Sequence, residues 1–179
     1  MNSYIFKSQR LGFRNWCDND LKPLFEINSN KEVMRYFPAV KTLEETQEFI
    51  TKMQHQYDQF RFCYFAVDSI ESGEFLGFIG INNQTYKADF NPSIDIGWRL
   101  HPKYWGKGYA SEGAKACLNY AFSTLELKEI VSVAPEINKP SIAVMNKIGM
   151  KKVNTFIHPL LRNYPKIASC VLYKINTSF

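Results

Sequence analysis

The sequence predicts an α+β fold in which helices flank one mixed sheet. Three observations carry that prediction. Apolar residues recur at helical spacing from Leu43 to Tyr57, and the period then changes to that of strands. A glycine-punctuated loop joins an alternating run to a run of small residues at helical spacing. Two more strand-like runs close the chain.

The elements follow in order. Residues 11–14 form a short strand candidate. Asp18 or Asp20 can cap a helix reaching about Asn28, with Pro23 tolerated near its start. Thr42 and Glu45 make a capping box, because each side chain can satisfy the other's backbone donor. Leu43, Thr46, Phe49, Ile50, Met53 and Tyr57 then share one helix face. Residues 62–67 and 75–81 are rich in aromatic and branched side chains, and Ser72-Gly73 between them marks a hairpin turn. The polar stretch 82–91 reads as a loop leading to Pro92. Ile94, Ile96, Trp98 and Leu100 alternate with Asp95, Gly97 and Arg99, which is a strand. After the loop 102–108, Ala110, Ala114, Cys117, Leu118 and Ala121 fall on one helix face, small enough to lie close to a sheet. Residues 130–134 form another strand. Asn138 can cap a helix with Pro140 in its first turn and Gly149 at its end. Residues 152–156 and 170–175 are the last two strands.

Composition narrows the function classes. A chain of 179 residues suits one domain, and 45% apolar residues can build a substantial core. Phe and Tyr together number 24, enough for some to line a groove. The net charge is +5 without a long run of Lys or Arg. That argues against a nucleic-acid partner and suits an anionic cofactor. Cys17, Cys63, Cys117 and Cys170 form no C-x-x-C, and His55, His101 and His158 lack metal spacing, so no metal site and no disulfide is expected. The N-terminal residues 1–7 lack a signal peptide's apolar region, and no stretch approaches a membrane span, so a cytoplasmic protein with no membrane partner is expected.

The strand–loop–helix unit carries the chemistry. A helix N-terminus presents free N–H groups and partial positive charge, so a phosphate can be held there by backbone alone. Gly106 and Gly108 permit close backbone approach, Lys107 adds a charge and Ser111 a hydroxyl. The loop is neither a P-loop nor a dinucleotide fingerprint, since the required glycines and Gly-Lys-Ser/Thr run are missing. On its own it is compatible with a simple tight turn.

The run Ile96-Gly97-Trp98-Arg99-Leu100-His101-Pro102-Lys103-Tyr104-Trp105-Gly106-Lys107-Gly108-Tyr109-Ala110-Ser111-Glu112 resembles the signature of the GNAT acetyltransferase superfamily. More narrowly, it resembles the ribosomal-protein N-terminal acetyltransferase branch, RimJ/RimL type. Supporting pieces follow in order: Glu32-Val33-Met34-Arg35-Tyr36-Phe37-Pro38, Gly73-Glu74-Phe75-Leu76-Gly77-Phe78-Ile79-Gly80, Asn138-Lys139-Pro140-Ser141 and Met145-Asn146-Lys147-Ile148-Gly149-Met150. The resemblance implies a single acetyltransferase domain with a mostly antiparallel twisted sheet of about six to seven strands, splayed at a central parallel pair. It implies acetyl-CoA as cosubstrate. The pantetheine arm would meet Trp98, Arg99 and Leu100, and the pyrophosphate Trp105, Gly106, Lys107, Gly108, Tyr109, Ala110 and Ser111. Asn138, Ser141 and Asn146 would stand beside the same cofactor. Trp105 departs from the superfamily, which often has Gln or Arg there.

The implied reaction is direct attack of a neutral amine on the thioester, with a protein N-terminal α-amine as leading acceptor and a small amine as the alternative. A lysine-type amine costs roughly 3.5 kcal/mol more to deprotonate at neutral pH than an α-amine. Asp95 is the candidate base, against a polar strand residue making ordinary hydrogen bonds. Glu112 reads as a first-turn acid favoured by the helix dipole. The superfamily's acid tyrosine is replaced by Met145, and the resemblance offers Ser141 as substitute, with Tyr109 and Tyr164 in reserve. Tyr36, Phe37 and His158 are the candidate acceptor-side residues. A homodimer is one expected assembly, and an acyl-CoA-binding module without chemistry is the non-enzymatic alternative.

Overall fold

The computed structural model describes residues 3–177, so Met1, Asn2 and the last two residues lie outside the described part. One sheet of eight strands runs through it, in the order β1-β2-β3-β4-β5-β6-β8-β7. The strands are β1 (Phe6–Lys7), β2 (Leu11–Arg14), β3 (Tyr64–Ser69), β4 (Phe75–Gln84), β5 (Ser93–Leu100), β6 (Glu129–Pro135), β7 (Lys151–Ile157) and β8 (Ser169–Asn176). Only β5 and β6 are parallel. The expected six to seven strands become eight because a two-residue strand, Phe6–Lys7, pairs with β2. Two residues are too short to show a period.

Helices cover both faces. They are α1 (Leu21–Asn28), α2 (Leu43–Phe60), α3 (Tyr109–Ser123), α4 (Lys139–Lys147) and the one-turn α5 (Pro165–Ala168). The capping box of α2 forms as expected: Glu45 N–H donates to Thr42 Oγ1 at 3.1 Å, and Thr42 N–H to the Glu45 carboxylate at 2.9 Å. α1 starts at Leu21, where a cap at Asp20 places it, but the Asp20 side chain makes no cap bond. Residues Asp18–Asp20 form a 3-10 turn. Asp20 is drawn away by the Arg14 guanidinium, which donates to both of its carboxylate oxygens at 2.7 and 2.8 Å. α4 ends as expected before Gly149, whose φ of +90° suits glycine.

α3 packs on the face formed by Leu11, Phe13, Ile79 and Ile96. Its buried residues are small, and a Cβ at Gly113 would run into the Ile79 side chain. The opposite face receives α1 and α2. There Phe49 lies 6.4 Å from the Tyr64 ring and 5.2 Å from Phe78, centroid to centroid. The stretch 82–91 is not all loop. β4 continues to Gln84, because Asn82, Asn83 and Gln84 pair with Asp95, Ile94 and Ser93. Their polar side chains hid the strand, since hydrophobic alternation stops at Ile81.

Candidate active site

The site is built where β5 and β6 part. Their parallel pairing has one register position, Asp95↔Val131. Just beyond it the Ser132 hydroxyl donates to the Ile96 carbonyl at 2.9 Å, a side chain taking over where the ladder stops. β5 then continues beside β4 to Leu100, while β6 continues beside β8 to Pro135. Strand geometry shows which groups face the gap. A residue's N–H and C=O point to the same side, and neighbours alternate. His101 N–H bonds to Leu76 of the β4 side at 2.9 Å. The Ile96 and Leu100 carbonyls therefore face the β6 side, where they take Ser132 and the Trp105 indole N–H (2.8 Å). Trp98 has the same parity, so its N–H and C=O face the gap.

The glycine loop closes one end. Gly106 and Gly108 have φ of +72° and +81°, a backbone that only glycine adopts freely. Gly108 is the N-cap of α3, and the first bond of the helix runs from Glu112 N–H to the Gly108 carbonyl at 3.0 Å. The N–H groups of the turn before it point out of the helix start. Ser111 is buried, while Trp105, Gly106 and Lys107 are exposed and Tyr109 and Ala110 half-buried. Glu112 is not aimed at the gap. It takes Ser8 Oγ and Arg10 N–H at 2.7 and 2.8 Å and pairs with the Arg10 guanidinium. Arg10 also donates to the Lys107 carbonyl at 3.1 Å and lies over the Tyr109 ring. Sequence reading missed Arg10, which lies 97 positions before the loop residue it braces.

Asp95 and Arg99 project onto the other face of the sheet. The Tyr64 hydroxyl lies 2.7 and 2.9 Å from the two Asp95 carboxylate oxygens. Gln84 Nε2 donates to that hydroxyl at 3.4 Å. Gly97 makes this possible, because a Cβ there would press on the Tyr64 ring at 3.2 Å. Burial raises the Asp95 pKa from 3.8 to about 6, against the lowering effect of the Tyr64 and Gln84 hydrogen bonds. Burial and the Asp95 charge hold the Tyr64 hydroxyl well above its usual range. Asn82, Asp95's register partner, has a buried side-chain oxygen without a hydrogen bond. Tyr64 and Asn82 also escape the sequence reading: Tyr64 sits in a run that otherwise reads as core strand, and Asn82 opens the polar stretch that reads as a loop.

The other candidates scatter around this centre. Phe37 stacks on Arg99, and Tyr36 is half-buried beside Arg35, which bridges it to Trp105. His158 packs 4.4 Å from the Tyr86 ring, in a cluster with Phe90 and Phe156. Burial lowers the His158 pKa, and burial and the Asp95 charge raise that of Tyr86. This aromatic cluster thus ties the β4–β5 loop to the segment after β7. Asn138 acts as the N-cap of α4, accepting from Ser141 N–H at 3.2 Å. The Ser141 hydroxyl is half-buried, Met145 is buried and Asn146 is exposed near the helix end. Tyr164 is exposed.

The acetyltransferase (GNAT) domain family matches residues 10–151. The chain belongs to that family. It is therefore an acetyltransferase of GNAT fold. The chain is 33% identical over 150 residues to the uncharacterized N-acetyltransferase YnaD of Bacillus subtilis, covering 83% of this chain and 84% of that one. It is 25% identical to the spermidine N(1)-acetyltransferase of Escherichia coli K12, over 80% of this chain and 74% of that one. A solved GNAT-family acetyltransferase from Bacillus anthracis superposes with a TM-score of 0.79 at 31% identity, covering 95% of this chain and 96% of that one. Among the described residues, no helix is long and apolar enough to cross a membrane, and no cluster of His, Cys, Asp and Glu is arranged to hold a metal.

Proposed function

We propose that this chain transfers the acetyl group of acetyl-CoA directly to a primary amine, with a protein N-terminal α-amine as acceptor. The parting of β5 from β6 beside the glycine loop carries this reading. The residues suit the cosubstrate. Trp98 offers an N–H and a C=O along the gap and Leu100 an N–H, a match for the amides of a pantetheine arm. The Leu100 carbonyl is already taken by Trp105. The N–H groups of 106–111 and the Lys107 charge suit the pyrophosphate, with Ser111 in the first turn. Asn138 uses its oxygen as a cap and keeps its amide N–H groups for a ligand. Ser141 and Asn146 complete that wall. Bound there, acetyl-CoA supplies an acetyl thioester open to attack by an amine.

The chain's own residues supply the proton chemistry. Asp95, with a pKa of about 6, is a base suited to an amine that gives up its proton easily. Transfer from an α-ammonium to such a carboxylate is uphill by about 2.5 kcal/mol, and from a lysine-type ammonium by about 6 kcal/mol. The free N–H groups along β5 face the gap, where they can hold a carbonyl oxygen as it gains charge. The Ser141 hydroxyl gives a proton to the departing sulfur and takes one back from solvent, while Asp95 releases the amine's proton to solvent. Tyr36, Phe37 and His158, the last through its aromatic cluster, shape the acceptor's approach.

The resemblance to the RimJ/RimL branch supports a protein terminus. The likeness to a spermidine acetyltransferase supports a second reading, a small amine. Calorimetry with acetyl-CoA, followed by thiol release across N-terminal peptides and small amines, separates them. Binding with turnover on peptides is the expected result. Binding without turnover on any amine would reduce the chain to a binding module, and turnover on small amines alone would move the acceptor.

A further inference from the structure

The acceptor face carries a second charged group that the chemistry above does not use. Arg99 lies four residues after Asp95 and projects onto the same face. Its guanidinium sits between two rings, 4.4 Å from the Phe37 centroid and 5.2 Å from Phe78. Nη1 donates to Asn28 Oδ1 at 2.6 Å, and Asn28 is oriented in turn by Thr46 at 3.2 Å. Nε is buried without a hydrogen bond. Among the described residues, no ion pair includes Arg99. Burial lowers its pKa only to about 10, so it stays charged at neutral pH. This half-buried cation is held by one neutral oxygen and two ring faces rather than by a carboxylate.

Tyr64 stands between the two charges. Its ring stacks on Phe78 at 5.2 Å, and its hydroxyl holds Asp95 while lying within the field of Arg99. Gly97 leaves the floor between them without a side chain. The neighbouring polar side chains on this face, Asn82 and Gln84, are neutral. One end of the face thus takes a proton and the other presents a positive charge, about 13 Å apart at their Cα atoms by strand rise.

Resting on the acetyl-transfer reading, we infer that the acceptor is an amphoteric amine, its amino group met by Asp95 and a carboxylate of the same molecule met by Arg99. Either a small amino-carboxylate or a protein terminus with an early acidic residue has this chemistry. A polyamine does not, because its second ammonium would face the guanidinium.

Matched acceptors test this: dipeptides with free and with amidated C-termini, N-terminal peptides with Glu or Gln early in the chain, and spermidine. In at least one of the two sources, the acid member of the matched pair is expected to have at least a tenfold higher kcat/KM, mainly through KM. Arg99→Gln is expected to lower kcat/KM on the acids more than on the neutral partners and bring the ratio near one. Equal use of acids and neutral partners by the native protein would overturn the proposal, and so would a better rate on spermidine than on any acid. An equal loss on both partners in Arg99→Gln would make Arg99 a brace for Asn28 and Phe37 and also overturn it. If that variant does not fold, the native ratios decide alone. Turnover without acid preference removes the amphoteric acceptor and leaves acetyl transfer standing, whereas no turnover on any amine removes both.

Discussion

Asp95 is bound twice by one hydroxyl, yet its pKa rises from 3.8 to about 6 because burial outweighs those bonds. A base of that pKa is charged above pH 6, so kcat/KM should climb as pH rises through about 6. The same shift has a stability consequence of definite sign. With the folded pKa above the unfolded one, the folded state holds more protons between about pH 4 and 6, and stability falls as pH rises through that window. Removing the charge should reverse the loss. Asp95→Asn is expected to lower kcat at pH 7.5 by a factor of about 100 to 10,000. It should also stabilise the fold there by up to about 3 kcal/mol, with acetyl-CoA affinity unchanged. Urea titration beside steady-state kinetics checks both, and a variant that lost stability would show the carboxylate to be a structural anchor. Tyr64→Phe tests the partner. The tyrosine hydrogen bond lowers the Asp95 pKa, so its removal should move the acidic limb of the pH profile upward. Activity should fall several-fold more at pH 6 than at pH 8.5, and an equal fall at both would leave Tyr64 with packing alone.

At the level of elements, the loop between β5 and α3 turns the chain from sheet to helix through two left-handed glycines. Gly108 is the more exacting, because it is the N-cap and a Cβ there would also lie 3.6 Å from Arg10 Nη2. Gly108→Val places a branched residue at φ +81°, which costs roughly 1–2 kcal/mol or more. It should weaken acetyl-CoA binding at least tenfold while far-UV circular dichroism stays native, since helix α3 is anchored further along by Ala114, Cys117 and Leu118. Unchanged affinity would place the pyrophosphate elsewhere. This loop was the most legible part of the sequence, because glycine spacing and the small-residue face are local signals. The capping box of α2 and the Asn138 cap of α4 are legible for the same reason. The continuation of β4 through Asn82–Gln84 was not, since those residues are polar for the sake of the site they border. Nor was the Tyr64–Asp95 bond, which joins residues 31 apart and needs the register of three strands before it can be seen. The sequence places Arg99 beside the pantetheine arm, and only its packing on the Asp95 face gives its side chain a part.

Across the whole molecule, the two sides of the site depend on different parts of the fold. The loop and gap belong to β5, β6 and α3. The acceptor face also needs α1, which supplies Asn28 to Arg99. What holds α1 is a buried charge cluster at its foot. Arg14 donates to Asp20 at 2.7 and 2.8 Å and to Asp68 at 2.6 and 2.8 Å, joining β2, β3 and the turn before α1. Burial opposes the guanidinium charge, but its hydrogen bonds to Asp20 and Asp68 outweigh that and raise the Arg14 pKa. Trp16 ties the same corner to the strand of the site, donating to the Tyr64 carbonyl at 2.6 Å. Removing Arg14 takes the guanidinium away from two buried carboxylates, and loss of one member of a buried pair costs about 3–5 kcal/mol. Arg14→Ala should lose that much stability in urea at pH 7.5. At a temperature where the variant stays folded, acetyl-CoA affinity should hold, since β5, β6 and α3 are untouched. The acceptor KM should rise several-fold, since α1 no longer presses Asn28 against Arg99. If both affinities fell together, the two halves of the site would be one cooperative unit, and the division between donor side and acceptor side would have to be abandoned.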